Sequence, residues 1–456
     1  MELLTAKPNK VGVIQKGRKE VKVSTFCFGA YIYFLIDFFL HLSARIPGYG
    51  VIRPTLLLVL IISFSLFVQR DKLRDLHKDP AYKAIIMLIV YIFISLPFVE
   101  WPGSVIKNNL PDFVKAVVFF FFTALIIDSE RRLRTLLVVF VGCQVIRVLE
   151  PLYLNLTQGY WGSKTYLGVG EFAQRLSGAP SDVINPNELG FVIATAFPFL
   201  YYFLWLGRWK AKLLFVVIAP MLLYALVLTM SRGAMIAMLV IAWFIFKDSK
   251  RKLFLVLVGV SILVALWSVM SSDQKDRYLS LVDSNAKQAA SAEGRINGMI
   301  NEFKIGLQRP IFGHGLGTTG EAKYHLKGRT QAAHNLYAEL LMEVGVVGAI
   351  IFICYMFSIY RALKRNQGVL YKSESLDFFY MRLNRTLIAL FWMYAIYSIN
   401  YWGLSVYYWY MLGGMAIAFR WLLSKREAGR SSSELLGVEK IGGKRRVGFD
   451  HSLSNG

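Results

Sequence analysis

Four side chains in this sequence could together manage a departing anion and a proton: Arg232, Arg295, Arg175 and His334. Arg232 sits in Ser231-Arg232-Gly233, in the middle of an apolar stretch from 213 to 246. As one helix that stretch would be about 50 Å long, too long for a hydrocarbon core of about 30 Å. The stretch therefore reads as two spans joined by a tight turn, with Gly233 permitting the bend and Ser231 capping the second helix. The second span is short, so the turn lies below the membrane surface and its guanidinium faces a partly dry groove. An intramembrane charge is costly and marks function, normally with an anionic partner. The plainer alternative is an arginine snorkelling to headgroups.

Arg295 opens a segment, 292–308, in which Ile296, Met299, Ile300, Phe303 and Leu307 recur at helical spacing. This predicts an amphipathic helix lying on the membrane, with Arg295 at the depth of a lipid phosphate. A solvated arginine is the alternative. Arg175, in Gln174-Arg175-Leu176-Ser177-Gly178, is a weaker member of the set. His334-Asn335 stands where a long loop re-enters the membrane, in the first turn of a helix. The positive end of a helix favours an uncharged imidazole, which can take a proton from an attacking hydroxyl. Gly345 and Gly348, about three turns deeper, would let a neighbouring helix approach.

Other charged residues have structural readings. Glu339 and Glu343 share a face turned away from His334, where a buried base would pair with them. Arg147 and Glu150 would neutralise each other at i,i+3. Asp37 has no evident partner. His314 and His325 lack a neighbouring carboxylate cluster, so no metal site is expected. Gly313-His314-Gly315-Leu316-Gly317 follows no strand and reads as a tight turn after Pro310, not a dinucleotide site.

The elements that carry these residues are membrane spans. Of 456 residues, 55% are hydrophobic and only 18% charged, unlike a soluble domain. Lys and Arg outnumber Asp and Glu by 52 to 29, a formal charge of +23. Because the basic residues flank apolar blocks, they read as topology signals and contacts to membrane lipid, not as a nucleic-acid surface. The three cysteines lie in apolar stretches and offer neither a disulfide framework nor zinc spacing.

Apolar segments fall near 24–43, 51–69, 84–100, 113–129, 135–154, 189–206, 213–230, 233–246, 253–270, 335–360, 383–400 and 403–424. The expected fold is an all-α polytopic transmembrane bundle of about twelve spans. Residues 1–23 form an N-terminal tail too polar and basic for a cleaved leader, and the first apolar run reads as a retained span. The membrane domain covers 24–424, with outward loops at 155–188 and 271–334, the larger holding short amphipathic helices. A basic tail, 425–456, is expected to be disordered. Basic residues concentrate in one alternating set of loops, which puts both termini in the cytoplasm.

With these residues in view, His334-Asn335 followed by Gly345-Val346-Val347-Gly348 resembles the signature of bacterial O-antigen ligases and of the related O-antigen polymerases. Leu228-Thr229-Met230-Ser231-Arg232-Gly233 resembles a second marker of that superfamily. The stretch from Arg295 through Arg309-Pro310-Ile311-Phe312-Gly313-His314-Gly315 resembles a third, and Asn185-Pro186-Asn187-Glu188 also fits. The resemblance covers roughly 170–350 by motif and the remainder by hydropathy alone.

It implies an inverting glycosyl transfer at the periplasmic face of the bacterial inner membrane, using neither metal nor cofactor. The donor would be a glycan on undecaprenyl diphosphate. The acceptor would be a hydroxyl of lipid A–core in a ligase, the favoured reading, or of another lipid-linked repeat unit in a polymerase. A protein O-glycosyltransferase is a smaller third reading. Arg232 and Arg295 carry over as diphosphate binders and His334 as the group that activates the acceptor, with Arg175 added here. From another class, a transporter or flippase for lipid-linked sugars would also need many spans and buried arginines. The sequence lacks the repeat symmetry and paired broken helices that many transporters show.

Overall fold

The computed structural model describes residues 23–168, 171–279, 289–328, 334–372 and 377–444. Each of the twelve apolar segments falls on a helix. In chain order these are α1 (Thr25–Leu40), α2 (Pro54–Val68), α3 (Pro80–Phe98), α4 (Pro102–Ile126), α5 (Glu130–Gln158), α6 (Pro186–Trp205), α7 (Trp209–Leu228), α8 (Arg232–Asp248) and α9 (Lys252–Val269). After α9 come α10 (Ser272–Leu279), α11 (Ala289–Gly306) and α12 (Thr319–Lys327), which belong to the second loop region. The chain then returns through α13 (Leu336–Lys372), α14 (Phe378–Tyr397) and α15 (Tyr407–Lys444). The protein is an all-α polytopic membrane protein. Among the described residues seven helices are long and apolar enough to cross a bilayer, and α1 and α2 are shorter apolar helices.

Local chemistry starts most of these helices. Ser24, Asp79, Ser129 and Asp377 accept backbone N–H bonds as N-caps of α1, α3, α5 and α14. Asn185 and Glu188 form a reciprocal capping box on α6. The centre is aromatic. Phe38 and Phe39 of α1 meet Phe119 of α4 and Tyr407 of α15, with ring centroids 4.8 to 5.9 Å apart. Tyr355, Trp409 and Tyr410 are fully buried between α13, α14 and α15. Around this core α4 lies along α15, α3 along α13, and α8 between α6 and α14.

Several expectations are corrected here. Segment 155–188, expected as an outward loop, contains a β-hairpin, β1 (Gly162–Gly168) and β2 (Glu171–Leu176), paired antiparallel with Ser163 opposite Arg175. Arg147 does not neutralise Glu150. Its guanidinium grips Asp182 at 2.6 and 3.0 Å, and Glu150 takes both amino groups of Arg45 at 2.7 and 2.5 Å. Each charge prefers a two-point partner from another segment to an i+3 neighbour on its own helix. Asp37 does have a partner, the Thr55 hydroxyl at 2.8 Å. The expected disordered tail is helical as far as Lys444, continuing α15 at the low cost of adding residues to a nucleated helix; residues 445–456 lie outside the described ones.

Candidate functional site

The corner between α7 and α8 is as tight as the length argument required, but a different residue makes it. Thr229 ends α7, Met230 takes φ +49°, and Ser231 caps α8 by accepting from the Ala234 N–H at 3.3 Å. Gly233 therefore does not supply the bend. It is the second residue of α8, and a Cβ there would make only ordinary contacts, 3.4 Å from Tyr397 and 3.9 Å from Asn400. The Met230 N–H to Val227 and the Thr229 hydroxyl to Leu226 hold the left-handed residue in place. Such a conformation costs a non-glycine residue about 1–2 kcal/mol, so it persists because its surroundings fix it. Arg232 starts α8 and is buried.

Arg175 reaches the same corner from the hairpin. Its Nε donates to the Thr229 carbonyl at 2.8 Å and one Nη to Asn187 Oδ1 at 3.0 Å. It too is buried. Asn187, in the first turn of α6, offers its backbone carbonyl to the Tyr397 hydroxyl at 2.7 Å. The hairpin, the start of α6, the α7–α8 corner and the end of α14 thus converge around two guanidinium groups.

His334 approaches the chain just after α14, beside Trp402. The helix begins at Leu336 and Asn335 caps it, accepting from the Tyr337 and Ala338 N–H groups at 2.8 and 3.2 Å. His334 is consequently just ahead of the cap and not in the first turn as expected. It is exposed, and its ring lies 6.2 Å from that of Trp402. Two bonds tie this helix start to the end of α14: Leu336 N–H to Ser398 and the Tyr337 hydroxyl to Ala395, both 2.8 Å. Segment 397–402 therefore flanks both partners, with Tyr397 and Asn400 nearest to Gly233 and Trp402 beside His334.

Arg295 belongs to α11, one turn before Met299, whose sulfur lies 2.7 Å from Asn335 Nδ2. The Arg295 side chain lies outside the described residues. In the same helix Ile296, Ile300 and Phe303 are exposed, as is Leu307 just beyond its end, while Ile305 and Glu302 are buried. The exposed set forms most of the apolar stripe expected of a surface-lying helix.

Deeper in α13 the expectations fail instructively. Among the described residues Glu339 and Glu343 meet no buried base. Glu339 accepts from the Gly403 and Leu404 N–H groups at 2.7 and 3.4 Å. Glu343 accepts from the Gly317 N–H and the Thr319 hydroxyl, both at 2.8 Å. Buried carboxylates here act as acceptors for loop backbone, which removes two unsatisfied groups at once. Gly345 is not a helix-packing glycine. At φ +64° and ψ −174° it breaks α13, and a Cβ would stand 2.3 Å from the Ile311 carbonyl oxygen. Loop 310–318 enters that break: His314 and Gly315 donate to Met342 and Glu343 at 2.7 and 3.1 Å, and Val346 donates to Pro310 at 2.7 Å. Gly313, Gly315 and Gly317 all have positive φ, as the tight-turn reading predicts. Gly348 does face a neighbouring helix, since a Cβ would lie 3.0 Å from a ring carbon of Tyr91 on α3. His314 is committed to structure, its two ring nitrogens meeting Glu100 at 2.8 Å and the Ile305 carbonyl at 3.1 Å. Among the described residues no three His, Cys, Asp or Glu side chains gather in a metal-holding group.

Residues 217–353 match a family model described as O-antigen ligase. That span runs from α7 to the middle of α13 and contains Arg232, Arg295, His334, Gly345 and Gly348. An O-antigen polymerase of Salmonella muenchen is 24% identical over 313 residues, 65% of this chain and 70% of that protein. Both matches support the O-antigen ligase and polymerase superfamily. The structure brings Arg232 and His334, both inside the matched region, and Arg175, which precedes it, to one end of the bundle, around segment 397–402. The matched region ends before that segment, and the sequence reading missed it. Its signal was the aromatic run Tyr394, Tyr397, Tyr401 and Trp402 at a helix end, indistinguishable by sequence from an interfacial aromatic belt.

Proposed function

We propose that this protein transfers a glycan from undecaprenyl diphosphate to an acceptor hydroxyl at the periplasmic face of the inner membrane. The observation that carries the reading is the convergence of two buried arginines on one helix corner, with an exposed imidazole across the same aromatic segment. The acceptor hydroxyl gives its proton to His334 as its oxygen attacks the anomeric carbon from the face opposite the leaving group. The bond from that carbon to the diphosphate oxygen breaks, and its electron pair leaves with the diphosphate. Arginine pairs two N–H groups with phosphate oxygens, so Arg232, with Arg295 one turn from the contact to Asn335, would stabilise that developing charge. Arg175 has three donors directed at protein acceptors, at 2.8 to 3.4 Å, and supports the corner as well as adding positive charge.

The acceptor sorts the two readings. A ligase, using lipid A–core, is supported by the family model that covers the motif-bearing region. A polymerase, using a second lipid-linked unit, is supported by the longer match to the Salmonella muenchen protein. Both termini would be cytoplasmic. Purified protein in liposomes with lipid-linked glycan and acceptor should yield a new glycosidic bond and free undecaprenyl diphosphate. Movement of the lipid without a new bond would instead favour a flippase. In cells, gene deletion separates the two enzymes. Polymer stranded on its carrier indicates a ligase, and a single repeat unit remaining on lipid A indicates a polymerase.

A further inference from the structure

Segment 397–402 carries two polar groups for which the described residues supply no partner. Asn400 is exposed beside Gly233, the residue after Arg232, and Trp402 is half-buried beside His334. Among the described residues neither the Asn400 amide nor the Trp402 indole N–H makes a hydrogen bond. The indole itself is held firmly. Tyr401 packs beside it with ring centroids 4.7 Å apart, and the Tyr408 hydroxyl donates to the Trp402 carbonyl at 3.2 Å. Buried Glu339, in the first turn of the helix that His334 precedes, accepts from the Gly403 and Leu404 N–H groups just beyond the indole. One carboxylate therefore fixes the indole and the imidazole relative to each other. Face-to-face contact needs carbons about 3.5–4.0 Å apart. At 6.2 Å between centroids and a tilt of 47°, the imidazole borders the indole without lying flat on it.

We propose that Trp402 is the platform for the acceptor sugar and Asn400 its hydrogen-bonding edge, a subsite that rests on the glycosyl transfer proposed above. A pyranose ring carries C–H groups on its faces and hydroxyls around its rim. The C–H face is apolar and slightly positive, which suits the negative π face of an indole. The rim suits Asn400, whose amide both donates and accepts, and the indole N–H, which donates. A ring seated there presents a rim hydroxyl to His334, with the start of α8 and its arginine on the other side of Asn400. An apolar contact oriented by a few polar groups is how small-ligand sites set specificity. Both side chains are uncharged, so the substrate class is a neutral pyranose. It is the outer sugar of lipid A–core or that of a lipid-linked repeat unit.

The test reads binding apart from turnover, by saturation-transfer NMR on the full-length protein in nanodiscs. Two probes are used: core oligosaccharide freed from lipid A, and repeat-unit oligosaccharide freed from its carrier, both by mild acid. Wild type should saturate ring C–H protons of at least one probe, and the probe that responds names the source of the acceptor. Trp402→Ala should abolish that signal and Trp402→Phe should restore much of it. Asn400→Ala, at an exposed and unengaged side chain, leaves the fold intact and should weaken binding about fivefold. In the liposome assay Trp402→Ala should raise the acceptor KM about tenfold and leave the donor KM unchanged. A signal from neither probe, or an undiminished signal in both alanine variants, would overturn the platform. Transfer with an unaltered acceptor KM in Trp402→Ala would sink the platform alone, whereas probe binding without any transfer by wild type would sink only the reaction.

Discussion

At the scale of single residues, His334 and Arg232 make the sharpest predictions. Loss of a positioned general base lowers rates by about 10²–10⁴. His334→Ala should therefore reduce transfer in the liposome assay to that extent while leaving membrane insertion intact, and wild-type turnover would remove this residue from the chemistry. On the acid limb of the pH profile, wild-type kcat/KM should fall about tenfold per pH unit as the proton acceptor fills. That limb should vanish from the residual activity of His334→Ala. Arg232→Lys keeps the charge and loses the two-point geometry, so it should recover only part of what Arg232→Ala loses. Arg175 behaves differently because it fastens protein to protein. Hydrogen bonds to a charged group contribute about 1.5–3 kcal/mol each, so Arg175→Ala should lower the Tm in detergent as well as the rate. Arg232→Ala should affect chiefly the rate.

At the scale of elements, the break in α13 matters most. Gly345 accepts the backbone of loop 310–318 into a helix, and nothing larger fits there, with the Ile311 oxygen 2.3 Å from a Cβ position. Gly345→Ala must both adopt a positive φ and displace that loop, which should cost at least about 2 kcal/mol, seen as a lower Tm and faster proteolysis between 300 and 330. Glu343→Ala unclamps Gly317 and Thr319 and should produce the same proteolytic pattern. The sequence marked both positions, but wrongly assigned them to helix packing and to a missing base. A sequence pattern reports that a glycine or a buried carboxylate is present. It does not report whether a helix, a loop or a cation fills the space beside it, because partners distant along the chain are not periodic.

At the scale of the whole molecule, the proposed reaction requires the end of the bundle bearing His334 to face away from the cytoplasm. Cys27 and Cys143 are buried and Cys354 is exposed, so a Cys354→Ala background suits labelling. A cysteine placed at 334 should react with a membrane-impermeant maleimide added outside spheroplasts, whereas one placed at 250 should react only after lysis. Protection of position 334 until lysis would invert the topology and remove the periplasmic reaction. The basic excess of +23 is then explained by loops that anchor against anionic lipid.

What the sequence alone determined is the membrane architecture and the identity of the charged residues worth watching. Spans are legible because a bilayer imposes a length and a composition on every crossing segment, and an arginine inside such a segment is conspicuous. Even the α7–α8 corner followed from length, although the residue that bends it did not. The tertiary structure decided how those residues meet. It set the hairpin that delivers Arg175, the aromatic segment shared by the start of α8 and His334, the loop seated at Gly345, and the pairing of Arg147 with Asp182 in place of Glu150. These contacts join segments tens to hundreds of residues apart, and they are chosen by competition among partners that only exist once the helices have packed.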